Sequence, residues 1–150
     1  MEKTHWNNKT WNELSKEELE EIFILRARVF VVEQACAYQD IDNHDQKAIH
    51  ILGKQNNKII AYCRAFNGGD FFKEASFGRA LVDKNFRRKG LGNQLIKETL
   101  KAMKTQWQNK KIKISAQAHL SKLYQTHGFK PKGEEYLEDG IPHTAMFFNK

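Results

Sequence analysis

The chain has 150 residues, the usual size of one domain with a single hydrophobic core, so we expect one domain over residues 1–150. An apolar content of 40% and an aromatic content of 11% are typical of globular proteins, and no apolar run is long enough to cross a membrane. The net charge of +7 keeps nucleic acid as a minor alternative partner, but the lysines are scattered, so we expect neither nucleic-acid nor membrane binding.

The first half of the chain predicts a strand, a helix and three further strands. Residues 3–11 are weakly patterned as a strand, and residues 48–52, 58–66 and 75–82 are apolar, β-rich runs. The first two of these runs predict a hairpin with a turn at residues 55–57. Ser15 and Glu18 form a capping-box pattern that begins a helix ending near Val32. Its predicted buried face consists of Leu19, Ile22, Phe23, Arg26, Ala27 and Phe30.

The second half predicts a long helix, a strand, a short helix and a hairpin. The apolar residues of the long helix recur at helical spacing, from Leu91 through Leu95 to Trp107, and predict packing on a sheet. Residues 112–116 predict a buried strand, and residues 120–127 a helix closed by Gly128. Residues 134–137 and 144–148 predict the final hairpin. This order indicates an α/β protein with helices on both faces of its sheet.

The N-terminal residues lack the apolar core of a signal peptide. Cys36 and Cys63 show neither disulfide nor metal spacing, and the histidines show no metal spacing either. We therefore expect a cytoplasmic protein with reduced thiols and no metal site.

A basic, glycine-containing loop joins the predicted strand at residues 80–82 to the long helix. Arg87, Arg88 and Lys89 precede Gly90 and Gly92, where a helix start exposes unpaired N–H groups to an anion. The spacing fits neither a dinucleotide fingerprint nor a P-loop. The hexapeptide alone is equally consistent with a solvated turn and a helix cap.

Four segments, at residues 28–42, 78–100, 116–129 and 138–146, resemble in the same order the GNAT superfamily of N-acetyltransferases and its ElaA-like subfamily. The resemblance implies a mixed, mostly antiparallel twisted sheet with helices on both faces, and acetyl-CoA as co-substrate. It also implies that two parallel strands, ending near Val82 and Ala116, splay apart to admit the thioester.

The resemblance implies a set of cofactor contacts. Backbone amides of residues 88–93 would hold the pyrophosphate, strand residues 80–82 would pair with the pantetheine arm, and Gln117 would reach that arm. The N–H of Leu81 or Val82 would stabilise the oxyanion. The expected cofactor-binding residues are Ala80, Leu81, Val82, Arg87, Arg88, Lys89, Gly90, Leu91, Gly92, Asn93, Gln117 and Tyr124.

Tyr124 matches the family's general acid, since a phenol is protonated at neutral pH, although a tyrosine packed at a helix end is the alternative. The family's two glutamate positions for a general base are Ser76 and Ile112 here. The remaining candidate bases are Glu33, Glu74 and His119, and a water relay or an amine of low pKa would serve equally well.

The loop after the first helix would border the acceptor cleft in this fold, and its acidity would suit a cationic amine. A solvated acidic loop is an equal alternative, and Cys36 within it is expected to be an inert thiol. From the last hairpin, Glu138 could approach the same cleft. The expected acceptor-binding residues are Glu33, Gln34, Tyr38, Asp40, Asp42, Asp139 and His143.

These expectations amount to transfer of an acetyl group from acetyl-CoA to a primary amine, on a small molecule or peptide, within a ternary complex. A non-catalytic acyl-CoA-binding module is the alternative. The protein would be a monomer, or a homodimer formed along the apolar last strand at residues 146–148.

Overall fold

The computed structural model describes residues 3–108 and 110–149; residues 1, 2, 109 and 150 of the predicted domain lie outside the described part. The described residues form eight strands and three α-helices, in the order β1 (His5–Thr10), α1 (Lys16–Arg26), β2 (Ile49–Gln55), β3 (Lys58–Phe66), β4 (Ser76–Val82), α2 (Leu91–Trp107), β5 (Lys111–Gln117), α3 (Ser121–Gln125), β6 (Lys130–Pro131), β7 (Tyr136–Glu138) and β8 (Ile141–Asn149). No helix in these residues is long and apolar enough to cross a membrane.

The first sheet is antiparallel, in the order β1-β2-β3-β4. The predicted β2–β3 hairpin is confirmed, because Gln55 pairs with Lys58 and the two residues between them, Asn56 and Asn57, both have positive φ. Two positive φ angles define the turn whose twist suits a two-residue hairpin, and asparagine tolerates them well.

Helix α1 begins at the predicted capping box, in which Ser15 accepts a hydrogen bond from the backbone of Glu18 and Glu18 bonds back to Ser15. The helical path continues past Arg26 as a π-helical segment, Ala27–Glu33. Leu25 and Val29 are buried on the same face as Ile22 and Arg26, whereas the predicted Ala27 is exposed. Such π segments are rare and often occur at functional sites.

The helices cover both faces of the first sheet, as predicted. Ile22 and Leu25 of α1 pack with Leu52 and Tyr62 on one face. Neighbouring strand residues point the opposite way, so Cys63 packs with α2 on the other face.

The second sheet has the order β5-β8-β6, and β7 also pairs with β8. The final hairpin exists, but β7 pairs with Ile141 to His143, and the predicted partner at residues 144–148 pairs with β5 instead. Met146 pairs with Ile114 on one side and Pro131 on the other. The dimer hypothesis assumed that β8 has a free edge at residues 146–148. That assumption is wrong at Met146, because β8 is an interior strand at this point.

The two sheets meet only briefly. Among the described residues, one parallel bridge joins Ala75 to Ile112, and Lys113 donates its backbone N–H to Ala75 O at 2.9 Å. Beyond this point β4 and β5 have no pairing in the described chain and diverge. A wedge therefore opens between them toward Val82 and Gln117, as the family resemblance implied.

Candidate functional site

A cavity of about 760 Å³ fills the wedge between β4 and β5. Its lining comes from both strands, the start of α2, the π-helical segment, α3 and the β7–β8 hairpin. This volume is in the range of ligand pockets. Most of the residues expected to bind the cofactor or the acceptor line it, and the exceptions are Lys89 and Asp40.

The loop before α2 forms one end of the cavity. Gly90 caps the helix at φ +79, a left-handed conformation that favours glycine. A Cβ atom at Gly92 would meet no atom within 4 Å, so packing inside the protein does not require glycine there. The exposed amides at this helix start suit an anion, and both glycines leave room for one to approach. Lys89 does not line the cavity, and its ammonium lies 5.7 Å from the Phe86 ring centroid.

Arg87 closes this end toward the π-helical segment. Its guanidinium binds the Glu33 carboxylate with both terminal nitrogens, at 2.5 and 3.0 Å, and its Nε donates to Val82 O at 2.9 Å. The hydrogen bond from Arg87 holds the pKa of Glu33 below its usual range. Glu33 is therefore a weak base, and its predicted role as the general base loses support.

The edge of β4 carries unpaired backbone groups. A bulge at Arg79, which has φ +53, shifts the register between β3 and β4. Beyond the bulge, Asp83 donates its backbone N–H to Ile60 O at 2.8 Å. Because successive backbone groups alternate in direction, Leu81 also faces β3, whereas the N–H of Val82 points into the wedge.

Tyr124 of α3 lies inside the wedge and is only 7% exposed. Its ring contacts Phe77 and Phe129, which hold it on the side of the sheet covered by α2. Burial raises the pKa of the Tyr124 hydroxyl, so this group is protonated at neutral pH. No described residue hydrogen-bonds to that hydroxyl, which leaves it available to a ligand.

The aspartates of the loop after the π-helical segment are paired with arginines of the fold. Arg26 is fully buried and binds Asp40 at 2.8 Å through Nε and Asp45 at 2.7 Å through Nη1. Arg79 contacts the Asp40 carboxylate at 2.8 Å and donates to its backbone oxygen at 3.1 Å. Asp40 therefore lies in an ion-pair network outside the cavity lining, and its predicted acceptor role loses support.

Asp42 belongs to the same network. Arg64, which is 1% exposed, binds Asp42 at 2.6 and 2.8 Å and Asp45 at 2.9 Å. Burial alone would raise the pKa of Asp42, but hydrogen bonds and charge from Arg64 outweigh it and lower that pKa. The Asp42 side chain reaches the cavity already neutralised, so it offers an amine little net charge. Tyr38 donates to Asp40 at 2.8 Å and stacks under Arg79, which extends the network to the cavity wall.

The other predicted bases occupy different surroundings. Glu74 lies in the bend before β4 and does not line the cavity. His119 lines the cavity but is exposed, and no described residue hydrogen-bonds to its ring.

The remaining predicted residues lie around the cavity mouth. Gln34 and Gln117 exchange two amide hydrogen bonds of 3.2 Å, which tie the π-helical segment to the end of β5. The Cys36 thiol donates to Asp139 O at 3.2 Å, so the loop also holds the β7–β8 turn. Cys36 and Cys63 are both free and buried.

The second sheet carries a polar cluster, of which the sequence analysis named Glu138 and His143 but neither Ser115 nor Tyr136. Ser115 donates to Glu138 at 3.0 Å and lies 2.5 Å from the Tyr136 hydroxyl. His143 Nε2 lies 3.5 Å from Glu138 Oε2. Ser115, Glu138 and His143 all line the cavity. The register of β5, β7 and β8 creates this cluster, and alternation within any one strand gives no sign of it.

Known proteins share both this sequence and this fold. Residues 11–149 match the family described as Acetyltransferase (GNAT) domain. Protein ElaA of Escherichia coli is 41% identical over 143 residues, covering 94% of each chain. The crystal structure of that ElaA superposes with a TM-score of 0.91 at 39% identity, covering 98% of this chain and 100% of the other.

An acyl-CoA N-acyltransferase from Pseudomonas aeruginosa superposes with a TM-score of 0.90 at 35% identity, covering 96% of this chain and 99% of the other. The wedge, the glycine loop at a helix start and the two divergent strands thus occur in a chain that matches the family along nearly its whole length. The chain belongs to the GNAT family, whose reaction is acyl transfer from acyl-CoA to an acceptor.

Proposed function

We propose that this protein transfers an acetyl group from acetyl-CoA to a primary amine, by direct attack while both substrates are bound. The observation that carries the proposal is the wedge itself, which combines a helix start suited to an anion at α2, an unpaired strand edge on β4 and a buried phenol. These three features match the pyrophosphate, the pantetheine amides and the thioester sulfur of one extended ligand.

The cofactor would enter with its pyrophosphate against residues 88–93. Backbone amides and the macrodipole of α2 bind the phosphates there, and Gly92 admits them closely. The pantetheine arm would then pair with the outward-facing backbone of Ala80 and Val82, as an added strand does. Gln117 would reach the same arm by giving up one or both of its hydrogen bonds to Gln34.

The thioester would lie between the N–H of Val82 and the hydroxyl of Tyr124. The N–H donates to the carbonyl oxygen as it becomes an oxyanion. When the C–S bond breaks, Tyr124 donates a hydrogen bond and then its proton to the departing sulfur. Cys36 takes no part, because its thiol donates to Asp139 O and direct transfer needs no acyl-cysteine.

An aromatic wall suggests an amine for the assay. Tyr38, Phe66, Phe71 and Phe72 line the cavity, and the Phe66 and Phe71 rings stack at 4.9 Å. Such a wall suits an apolar or aromatic body attached to the amine. We therefore choose 2-phenylethylamine as the first acceptor.

The Tyr124→Phe variant tests the proposal. It removes one hydroxyl and keeps the ring that packs on Phe77 and Phe129. We expect an unchanged dissociation constant for acetyl-CoA by calorimetry and a fall in kcat of about 10²-fold or more in CoA release. An unchanged kcat would contradict the role of Tyr124.

The second candidate function is binding of acyl-CoA without turnover. It is favoured by the surroundings of the predicted bases, since Glu33 is paired with Arg87 and Glu74 lies off the cavity. Wild-type protein that binds acetyl-CoA but releases no CoA with any primary amine would support this candidate over the first.

A further inference from the structure

The cavity has two sides, divided by the plane of the second sheet. Ile114 and Ala116 of β5 pack in the core that also contains Tyr124. Ser115 and Gln117 alternate with them and point to the opposite side. His143 pairs with Gln117 in register, and directly opposed residues share a face. His143 and Tyr124 therefore approach the wedge from opposite sides.

The hydrogen bonds of His143 fix where its proton lies. Nδ1 is 2.7 Å from Ile141 O. A carbonyl oxygen only accepts, so Nδ1 carries the hydrogen. In the neutral ring Nε2 is then an unprotonated acceptor, 3.5 Å from the Glu138 carboxylate. Nε2 is therefore the ring nitrogen with a lone pair that can accept a proton from a bound amine.

Glu138 is itself held in place. Ser115 donates to its Oε1 at 3.0 Å, and the Tyr136 hydroxyl lies 2.5 Å from Ser115. The Tyr136 ring also stacks on His143, with centroids 6.2 Å apart. Glu138 nonetheless keeps a side-chain exposure of 48%, so a charged ligand can reach its carboxylate.

We propose that His143 is the general base of this site and that Glu138 binds the acceptor's ammonium group beside it. The inference rests on the proposed function and supplies the group that Glu33, Glu74 and His119 do not. Ser115 and Tyr136 act as positioning residues through Glu138.

The step balances as follows. The ammonium gives one proton to Nε2 of His143, which passes it to solvent after turnover. The nitrogen lone pair then forms the C–N bond at the thioester carbon, and the oxyanion collapses to break the C–S bond. The sulfur takes the Tyr124 proton, and the second proton from nitrogen restores Tyr124 through water in the cavity. The products are the acetamide, CoA thiol and one released proton.

Two acceptors of nearly the same shape separate a base from a structural residue. 2-Phenylethylamine is protonated at neutral pH, whereas O-benzylhydroxylamine, in which oxygen replaces one CH2, is not. Removal of a base should slow only the acceptor that must first lose a proton. Both acceptors are assayed with acetyl-CoA by CoA release, with the uncatalysed rate subtracted.

We expect His143→Gln to lower kcat for 2-phenylethylamine by about 10²-fold or more and to leave O-benzylhydroxylamine nearly unaffected. Glu138→Gln should raise KM for 2-phenylethylamine alone, because it removes a charge that only the ammonium uses. The control is Glu135→Gln, an exposed glutamate outside the cavity lining, which should change neither acceptor.

Equal losses with both acceptors in His143→Gln would overturn the inference, since they would indicate a structural role. An unchanged kcat with 2-phenylethylamine would overturn it as well. Wild-type protein that binds acetyl-CoA but acetylates neither amine would instead overturn the proposed function, a result distinct from either of these. If the buried His143→Gln variant fails to fold, the Glu138→Gln variant, at a more exposed position, still tests the inference.

Discussion

Replacement of Arg64 by methionine should lower the free energy of unfolding while leaving the cavity nearly the same size. Arg64 is 1% exposed and holds Asp42 and Asp45 through three hydrogen bonds of 2.6 to 2.9 Å. Methionine keeps most of the length of the side chain and removes its charge. The buried Asp45 and the half-buried Asp42 then share the remaining arginines, Arg26 and Arg79, which bind Asp40 as well.

The expected loss of stability follows from the uncompensated charge. Removing one partner of a buried ion pair typically costs about 3–5 kcal/mol, because the other partner remains desolvated without its counter-charge. Domains unfold with about 5–15 kcal/mol in total, so the variant should lose a large share of its stability. The matched control is Lys101→Met, which removes a charge from an exposed position of α2 and should change stability by about 0.5 kcal/mol or less.

Urea unfolding followed by circular dichroism measures both variants. The double variant Arg64→Met with Asp42→Asn removes charge from both partners and should recover part of the loss, with a coupling energy of about 0.5–3 kcal/mol. A loss below about 1 kcal/mol in Arg64→Met would refute the reasoning, since surface ion pairs already contribute that much.

Two further predictions concern α2 and α1. Gly92→Ala should stabilise the fold by about 0.5–1 kcal/mol, because alanine suits a helix better and its Cβ meets no atom. The same methyl group should weaken acetyl-CoA binding, because it occupies the space through which the phosphates approach. The melting temperature should therefore rise while the affinity measured by calorimetry falls. Burial opposes ionisation of Glu18, but hydrogen bonds from Lys54, the Ser15 backbone and Lys9 outweigh it and lower its pKa to about 2. A carboxylate whose pKa is depressed in the folded state stabilises the fold above the unfolded pKa of about 4.3, and this contribution is lost as the pH falls toward 2. Glu18→Gln should therefore lower the free energy of unfolding by about 1–2 kcal/mol at pH 7. It should also make the loss of stability at acidic pH less steep. An acid limb as steep as that of the wild type would contradict this assignment.

The order of elements could be predicted from sequence because each has a local signal. The capping box at Ser15 and the asparagines at 56 and 57 act within a few residues, so their structures follow from the sequence around them. The π-helical segment has no such signal. Arg26 and Val29 are buried at the three-residue spacing of an α-helical face, so their burial follows from that period, whereas the wider turn itself does not.

The positions of the glycine loop and of Tyr124 beside the wedge agree with the family resemblance, whereas the surroundings of the acidic loop were only partly predictable. Arg26 within an apolar helix face was a usable sign of a buried ion pair, and the aspartates at 40, 42 and 45 were its natural partners. The pairing of Ser115 with Glu138 depends on strand register across 23 residues, which no local pattern encodes.

Calorimetric titration with acetyl-CoA tests the central claim most directly. Wild-type protein should bind, Gly92→Trp should lose binding because the indole fills the phosphate approach, and Lys101→Trp, on an exposed position of the same helix, should bind like the wild type. Circular dichroism confirms that each variant is folded. Equal binding by all three proteins, or none by the wild type, would contradict the assignment of the wedge as the acetyl-CoA site.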